Sequence, residues 1–455
     1  MKTGRLLKSL LDIADITQKN FAESIYTSPS TISKIITGKH LVSSSDEKSF
    51  SAKAARILAD NIFETNCYFK FRDILPIICD FISKHDLEQF LLKAFMYAIE
   101  IDRENSEDSV NINRPTKYYV GRKQIMHMVC IITSDYLRTD RHELLEFYSA
   151  LPLSFGYSQL GLDEIKVVPP ALRRELIFNQ LFDPGQCLRG ADDCIVENIE
   201  TVYTTEQYSE LYRWQATLDP TKPFLLLKDK YIILFNQQID GTPQMTVITN
   251  KPELDNIYDH IAAIMSKAKR LTYTESDIEE YLNDKSVTEE RLIDSRIRAI
   301  SEMSPTGTPA DEIVEGIRQL MQTFVQDDVS IFISADVLNA FVFSKEVLVP
   351  VLRDIEIPLR DRIKILEIIR DYMEANKHAN IHIINISLHS ITVLCLDQPS
   401  LICLINPFSK KAKYHLVDSN VLKEQMEKSS AKSFINAYRY ISNLIDQAQE
   451  RLFGH

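Results

Sequence analysis

The chain has 455 residues, of which 45% are hydrophobic and 25% are charged, and its formal net charge is −12. This length predicts two or three domains, and the composition is ordinary for a soluble globular protein. No apolar run approaches the roughly 18 residues of a membrane span, and the first residues lack the features of a signal peptide. The seven cysteines form no CxxC pair, which is typical of a reduced, cytoplasmic chain.

Near the start, leucines at positions 6, 7, 10 and 11 recur at helical spacing and predict a first helix. The stretch from Thr17 to Gly38 then predicts two short helices joined by a tight turn. Thr17 and Ser28 are suited to cap the two helices, and Pro29 occupies a first helical position, where its missing N–H costs nothing. The residues expected to face inward are Phe21, Ala22 and Ile25 on the first helix and Ile32, Ile35 and Ile36 on the second.

The outer face of the second helix carries short hydroxyls and one cation, without bulky side chains. The residues of this face are Ser30, Thr31, Ser33, Lys34 and Thr37. Hydroxyl groups donate to and accept from base edges and phosphates, and a lysine contacts phosphate or guanine. The pattern therefore favours a helix that fits the major groove of DNA.

The sequence AESIYTSPSTISKIITGK resembles the helix-turn-helix of the Xre/Cro repressor family, in which the second motif helix lies in the major groove. The resemblance covers about residues 6–63, within a predicted DNA-binding domain of residues 1–66. It implies contacts with double-stranded DNA from Gln18, Ser28, Ser30, Thr31, Ser33, Lys34, Thr37 and Lys39. Two features depart from the family: Tyr26 replaces the usual glycine of the turn, and a long loop is expected at Lys39–Phe50. A helix pair that serves only as a scaffold is the alternative.

The charge is divided unevenly along the chain. Residues 1–63 contain nine Lys or Arg and six Asp or Glu, a net charge of +3. Because the whole chain carries −12, the remainder carries −15. An acidic body repels the duplex and confines contact to a basic head. Acidic excess that only provides solubility is the alternative interpretation of the body.

Residues 67–110 are predicted to form a helical connector or dimerisation segment. A helix at Ser51–Phe63 closes the head, and two further helices are expected at Phe69–Ile82, interrupted near Pro76, and Leu87–Ile101. The polar run Asp102–Arg114 then predicts a domain boundary.

The rest of the chain alternates helical and strand patterns and predicts an α/β (α+β) body in two parts, residues 115–303 and 310–455, separated by SPTGTPA at 304–310. In the first part we expect helices at Lys123–Leu137, Arg141–Ala150 and Glu253–Arg270, with two more that extend to Met303. Its strands are expected at Pro223–Leu227, Tyr231–Phe235 and Met245–Thr249, with a hairpin turn at Asp240-Gly241.

In the second part, helices are expected at Asp311–Phe324, Arg360–Glu374 and Ala431–Leu452, and strands at Val329–Ser334, Ile381–Ser387, Ile391–Leu396, Leu401–Ile405 and Lys413–Leu416. Both parts contain two adjacent buried strands, a third strand and a terminal amphipathic helix. We therefore predict a helical helix-turn-helix domain followed by a larger α/β body with two similar halves. Independent domains with similar local order are the alternative.

The duplicated layout resembles the phospholipase D-like fold, which some transcription regulators use as a non-catalytic sensor. Catalysis in that fold requires His-x-Lys in each half, and none of the ten histidines is followed two positions later by lysine. The 11 glycines form neither a GxGxxG loop nor a P-loop. His378 and His382 lack the flanking ligands of a metal site. We therefore expect no catalytic residue, no cofactor and no metal.

These patterns predict a cytoplasmic, sequence-specific DNA-binding transcriptional regulator that is not an enzyme. A two-fold operator implies a homodimer, and the body is expected to sense a small-molecule or peptide effector, or a partner. Two alternatives stay open. One is an enzyme with an appended DNA-binding head, and the other is a non-catalytic interaction or scaffold protein of a mobile element or defence system.

Overall fold

The structure of the protein is a computed structural model. It describes residues 1–64, 70–71, 74–106, 116–139, 144–151, 162, 165–167, 176–183, 199–218, 222–274, 314–315, 318, 330–343, 357–376, 380–384, 391–395, 400–405, 412–417 and 436–453.

The helices are α1 (Thr3–Ala14), α2 (Gln18–Ser24), α3 (Pro29–Ile36), α4 (Glu47–Glu64), α5 (Lys84–Ser106), α6 (Arg122–Thr139), α7 (Ile199–Glu206), α8 (Lys251–Met265), α9 (Ala335–Phe343), α10 (Leu359–Ala375) and α11 (Ala437–Phe453). The strands are β1 (Ile77–Cys79), β2 (Lys117–Val120), β3 (Leu145–Ser149), β4 (Ile165–Val167), β5 (Leu176–Phe182), β6 (Glu210–Gln215), β7 (Phe224–Leu227), β8 (Tyr231–Gln237), β9 (Pro243–Ile248), β10 (Lys269–Arg270), β11 (Thr272–Thr274), β12 (Ser330–Ser334), β13 (Asn380–Ile384), β14 (Ile391–Cys395), β15 (Ser400–Ile405) and β16 (Ala412–Val417). This order confirms the predicted fold class of N-terminal helices followed by a larger α/β body.

The chain divides into two compact units, and each is made of two stretches of sequence. Unit 1 comprises residues 1–193 and 217–267, and unit 2 comprises residues 194–216 and 268–455. The domain boundaries expected from the sequence stay predictions.

Unit 1 joins the N-terminal helices to the rest of its core through α5. Helix α4 packs along α5, where the Phe50 and Phe95 rings are in a T-shaped arrangement at a centroid distance of 6.1 Å. Arg103 on α5 donates to the Glu47 carboxylate at 2.6 Å, and the Thr3 amide donates to Asp102 at 2.8 Å. The helical head is therefore docked against α5 inside one compact unit.

The main sheet of unit 1 contains its strands in the spatial order β5-β3-β7-β8-β9-β2. Strands β3 and β5 run parallel, whereas β3–β7, β7–β8, β8–β9 and β9–β2 are antiparallel. The β8–β9 hairpin turns at the predicted Asp240-Gly241 pair, and Gly241 has a φ of 81°. A positive φ is the conformation that glycine adopts without a steric cost.

Unit 2 repeats this topology. Its sheet has the order β13-β12-β14-β15-β16-β11. Strands β12 and β13 run parallel, and β12–β14, β14–β15, β15–β16 and β16–β11 are antiparallel. Each strand of the unit 2 sheet thus has a counterpart among these six strands of unit 1, in the same order and with the same directions. The predicted similarity of the two halves is confirmed at the level of strand order.

Several predicted elements were wrong or had different ends. The helix predicted at Phe69–Ile82 is wrong over the described residues 74–82: Ile77–Cys79 form β1, because they pair antiparallel with β4. The segment Arg141–Ala150 contains β3, which pairs with strands on both sides. Helix α4 begins at Glu47, so the predicted long loop ends earlier than expected. Just before this helix, the Ser43 hydroxyl accepts from the Asp46 amide at 3.2 Å.

The remaining differences concern helix ends and residues outside the described part of the chain. Helix α8 ends at Met265, since the chain enters β10 four residues later. The two helices expected before Met303 and the linker at 304–310 lie outside the described residues, as does most of Asp311–Phe324. No helix of the described part of the chain combines the length and the apolar character required to cross a membrane.

Candidate nucleic-acid interface

Helices α2 and α3 form the helix pair expected from the sequence, and both begin at the predicted caps. The Thr17 hydroxyl accepts from the Asn20 amide at 3.2 Å, and the Ser28 hydroxyl accepts from the Thr31 amide at 3.1 Å. Pro29 follows Ser28 at the first helical position. Each cap satisfies an amide that no carbonyl of its own helix can reach, so both helices begin at defined residues.

The inner sides of α2 and α3 are buried as predicted. The fully buried residues are Phe21, Ala22, Ile25, Ile32 and Ile35. Ile36 differs from the prediction, because it is half-buried at the last turn of α3. The apolar side of the helix pair is thus buried in the core of the head, and the outer side of the pair faces solvent.

Helix α1 holds the C-terminal end of α3 through a glycine that the sequence reasoning missed. A Cβ atom built on Gly4 would lie 2.3 Å from the Ile35 carbonyl oxygen and 2.6 Å from the Ile36 carbonyl oxygen. Backbone atoms cannot rotate away, so only glycine allows this approach of α1 to α3. The position of α3 therefore depends on a residue outside the motif.

The end of α3 has the Schellman geometry of a helix that stops at a glycine. Gly38 has a φ of 72°, and its amide donates to the Ile35 carbonyl at 3.0 Å. The Lys39 amide donates to the Lys34 carbonyl at 2.8 Å. These two bonds satisfy carbonyls at the helix end and direct the chain away from α3 at Lys39.

The turn between the helices contains the residue that departs from the helix-turn-helix family. Tyr26 has a φ of 60°, as expected for a position where glycine is usual, and the residue is 91% exposed. The Lys53 ammonium lies 6.0 Å from the centroid of the Tyr26 ring. Because an exposed cation–π contact contributes roughly 0.5–1 kcal/mol, it offsets only part of the strain of a left-handed backbone.

Most of the residues predicted to contact DNA lie on the exposed side of the pair. The exposed ones are Gln18 at the start of α2, Ser28, Ser30, Ser33, Lys34 and Thr37 at α3, and Lys39 after it, whereas Thr31 is half-buried. Within the described part of the chain, the side chains of Ser30, Ser33 and Lys34 form no hydrogen bond or ion pair. Their polar groups therefore remain available to a ligand.

Three of the predicted contact residues already use their hydroxyls inside the head. The Ser28 and Thr31 hydroxyls lie 2.8 Å apart, and the Thr37 hydroxyl donates to the Ser33 carbonyl at 2.9 Å. These residues shape the two ends of α3. The side chains that project freely from it are Ser30, Ser33 and Lys34.

The head presents its basic side chains to solvent. All nine Lys and Arg residues of segment 1–63 are exposed. Among the described residues, Lys19, Lys34 and Lys39 have no carboxylate partner. Exposed cations without a carboxylate partner attract anions such as phosphate.

Comparison with known proteins adds little to this geometry. No family model matches the sequence, and no curated protein matches it. Among solved structures, the chain is similar to TrmBL2, an archaeal chromatin protein whose structure shows a novel mode of DNA binding. The TM-score is 0.21 at 10% sequence identity, and the match covers 49% of this chain and 93% of the other. A similarity at that TM-score carries no argument about fold or function, and the resemblance to the Xre/Cro family stays a prediction.

Proposed function

We propose that this protein is a sequence-specific DNA-binding transcriptional regulator whose α3 helix enters the major groove. The observation that carries the proposal is the polar face of α3, where Ser30, Ser33 and Lys34 project from a helix that is capped and buried on its other side. Side chains of this size and chemistry reach base edges without steric conflict. In this proposal Gln18 and Lys39, at the two flanks of that face, contact phosphates.

The proposed active form is a homodimer, because a two-fold operator presents two half-sites about 34–36 Å apart. The same proposal assigns the sensing of a small-molecule effector, a peptide or a partner to the α/β body. Docking of α4 and α5 supports such coupling, since Arg103–Glu47 and Thr3–Asp102 tie the head to the rest of unit 1. A ligand that changes the position of α5 would thereby move the head.

The proposed body does not catalyse a reaction. The support is chemical: the sequence lacks the His-x-Lys pair that the phospholipase D-like mechanism requires. Hydrolysis of bis-p-nitrophenyl phosphate by the purified protein, above the level of a heat-inactivated sample, would contradict this part of the proposal and favour an enzyme with a DNA-binding head.

The test of DNA binding starts with selection of duplexes from a random pool by the full chain. Affinity for the selected duplex is then measured across a salt series for the wild type and for the double variant Ser33→Ala, Lys34→Ala. We expect a loss of at least about tenfold, since each good base contact is worth roughly 1–3 kcal/mol. A fall of about one in the slope of log affinity against log salt would assign a phosphate contact to Lys34, and an unchanged slope would assign it a base contact.

The matched control is Lys251→Ala, which removes an exposed lysine from α8, outside the head. It is expected to bind the selected duplex like the wild type. Enrichment of no sequence, or equal affinity of the double variant and the wild type, would show that α3 is not a reader of DNA. The scaffold alternative would then be favoured.

A further inference from the structure

Five polar side chains of unit 1 meet on one face of its sheet. They are Glu146 and Tyr148 on β3, Asn179 on β5, Lys228 after β7 and Tyr258 on α8, and we call them the Glu146 cluster. One oxygen of the Glu146 carboxylate accepts from the Tyr148 hydroxyl at 2.5 Å and from the Asn179 amide at 3.5 Å. The other oxygen accepts from the Lys228 ammonium at 3.2 Å.

The centre of this cluster is a position that holds an ammonium group, here that of Lys228, and we call this position the ammonium seat. The Lys228 ammonium lies 4.8 Å from the centroid of the Tyr258 ring, in addition to its bond with Glu146. The Tyr258 and Tyr148 hydroxyls lie 3.3 Å apart, with their rings edge to face. A carboxylate beside an aromatic face is the arrangement that binds organic cations in proteins.

The repeated topology provides an internal comparison for these positions. In unit 1 the Phe147 ring stacks on Phe178, its partner in register on the parallel strand β5. In unit 2 the Phe332 ring stacks on His382, its partner in register on the parallel strand β13. The stacked pairs align the two sheets residue by residue.

This register places an aliphatic residue of unit 2 at each sheet position of the cluster. Glu146, Tyr148, Asn179 and Lys228 correspond to Ile331, Ile333, Ile383 and Leu394, respectively. The same sheet topology therefore forms without a polar group at any of the four positions. Because the polar side chains of Tyr148 and Asn179, each 5% exposed, cost more to bury than aliphatic ones, folding alone does not account for the Glu146 cluster.

We propose that the Glu146 cluster is a binding site for a primary organic ammonium ion, and that Lys228 occupies its ammonium seat in this structure. Solvent reaches the seat, since the side chains of Glu146 and Lys228 are 25% and 36% exposed. Lys228 lies in the short β7–β8 turn, next to Asp229 with a φ of 60°. From this turn its side chain can swing into water when an ammonium ligand replaces it.

The ligand class follows from the hydrogen-bonding capacity of the cluster. An ionised carboxylate only accepts hydrogen bonds, so Glu146 selects a donor-rich group, and the Tyr258 ring adds selection for positive charge. The site extends the proposed regulator by naming the class of its effector. The effect of the ligand on DNA binding rests on the proposed function, whereas the binding of the ligand to the site does not.

The test titrates the full chain with 1,4-diaminobutane and, as the uncharged probe of equal length, with butane-1,4-diol, by calorimetry. We expect the diamine to bind the wild type and the diol not to bind. Lys228→Met vacates the ammonium seat and is expected to bind the diamine at least about tenfold more tightly. Glu146→Gln retains the shape of the side chain and is expected to abolish binding. Circular dichroism verifies that both variants fold.

The matched control is Asp361→Asn, which removes another carboxylate that is paired with a lysine, at 2.7 Å from the Lys364 ammonium. It is expected to bind the diamine like the wild type. Three results would overturn the site: no binding to the Lys228→Met variant, equal binding to Glu146→Gln and the wild type, or equal binding of the diol. The second would identify a non-specific attraction to the acidic chain.

Failure of the site and failure of the proposed function are distinguishable. Affinity for the selected duplex is measured with and without the diamine. Binding of the diamine by a protein that selects no DNA sequence would leave the site intact and reject the regulator. Selection of DNA without diamine binding would leave the regulator intact and reject the site.

Discussion

The turn of the helix pair provides a direct test of backbone strain at Tyr26. Its φ of 60° places an L-residue in the left-handed region, which costs roughly 1–2 kcal/mol. Tyr26 is 91% exposed, so removal of its ring loses little burial, and the contact of the ring with Lys53 is worth at most roughly 1 kcal/mol. Replacement with glycine removes the strain together with the ring.

We expect Tyr26→Gly to stabilise the helix pair by about 1 kcal/mol relative to Tyr26→Ala, because both variants lack the ring and only alanine retains the strain. The assay is native-state hydrogen exchange, followed by mass spectrometry of peptides that span residues 17–38. It includes the Thr27 amide, which donates to the Ala22 carbonyl at 2.8 Å. Exchange of these amides is expected to be slowest in the glycine variant and slower there than in the alanine variant by about fivefold.

The alanine variant is the essential control, since a comparison with tyrosine alone would mix strain with the Lys53 contact. Equal exchange in the glycine and alanine variants would refute the reasoning. It would show that the left-handed conformation at Tyr26 carries no measurable cost.

Two further predictions concern the packing of the head and the acid stability of unit 1. Gly4→Ala is expected to displace α3 at a cost of roughly 1–3 kcal/mol, the usual cost of overpacking, and thereby to weaken DNA binding. The control Lys8→Ala, on the exposed side of α1, should change neither stability nor binding. Unchanged thermal unfolding of Gly4→Ala would contradict the close contact between α1 and α3. His127 is buried between α5 and α6 with its Nδ1 at 3.3 Å from the Lys93 ammonium, and burial lowers the pKa of His127 from 6.5 to about 4. As the pH falls from 6.5 to about 4, the unfolded chain therefore binds a proton at His127 that the folded chain does not bind. Over that range the free energy of unfolding of the wild type should fall by up to roughly 3 kcal/mol, at 1.36 kcal/mol per pH unit, and the His127→Asn variant should not show this loss. Urea unfolding at pH 7 and pH 4.5 measures the difference, and parallel losses in both proteins would reject it.

The sequence by itself determined the features that depend on nearby residues. The caps at Thr17 and Ser28 and the hairpin turn at Asp240-Gly241 each require only a side chain and a backbone within a few positions, so residue types predict them. The polar face of α3 was likewise readable, because helical spacing alone decides which side chains share a side. The similar halves were visible for the same reason, as a repeated order of local patterns.

The tertiary structure decided what depends on distant partners. Residues 69–82 were predicted as a helix because they are rich in apolar residues, but pairing of Ile77–Cys79 with β4 makes that part a strand. The Gly4 contact with α3 required the packing of α1, which no spacing reveals. The Glu146 cluster brings β3 together with Asn179, Lys228 and Tyr258, which are separated from it by 33 to 110 positions. Strand order and register bring the residues of the sheet together, and the packing of α8 adds Tyr258.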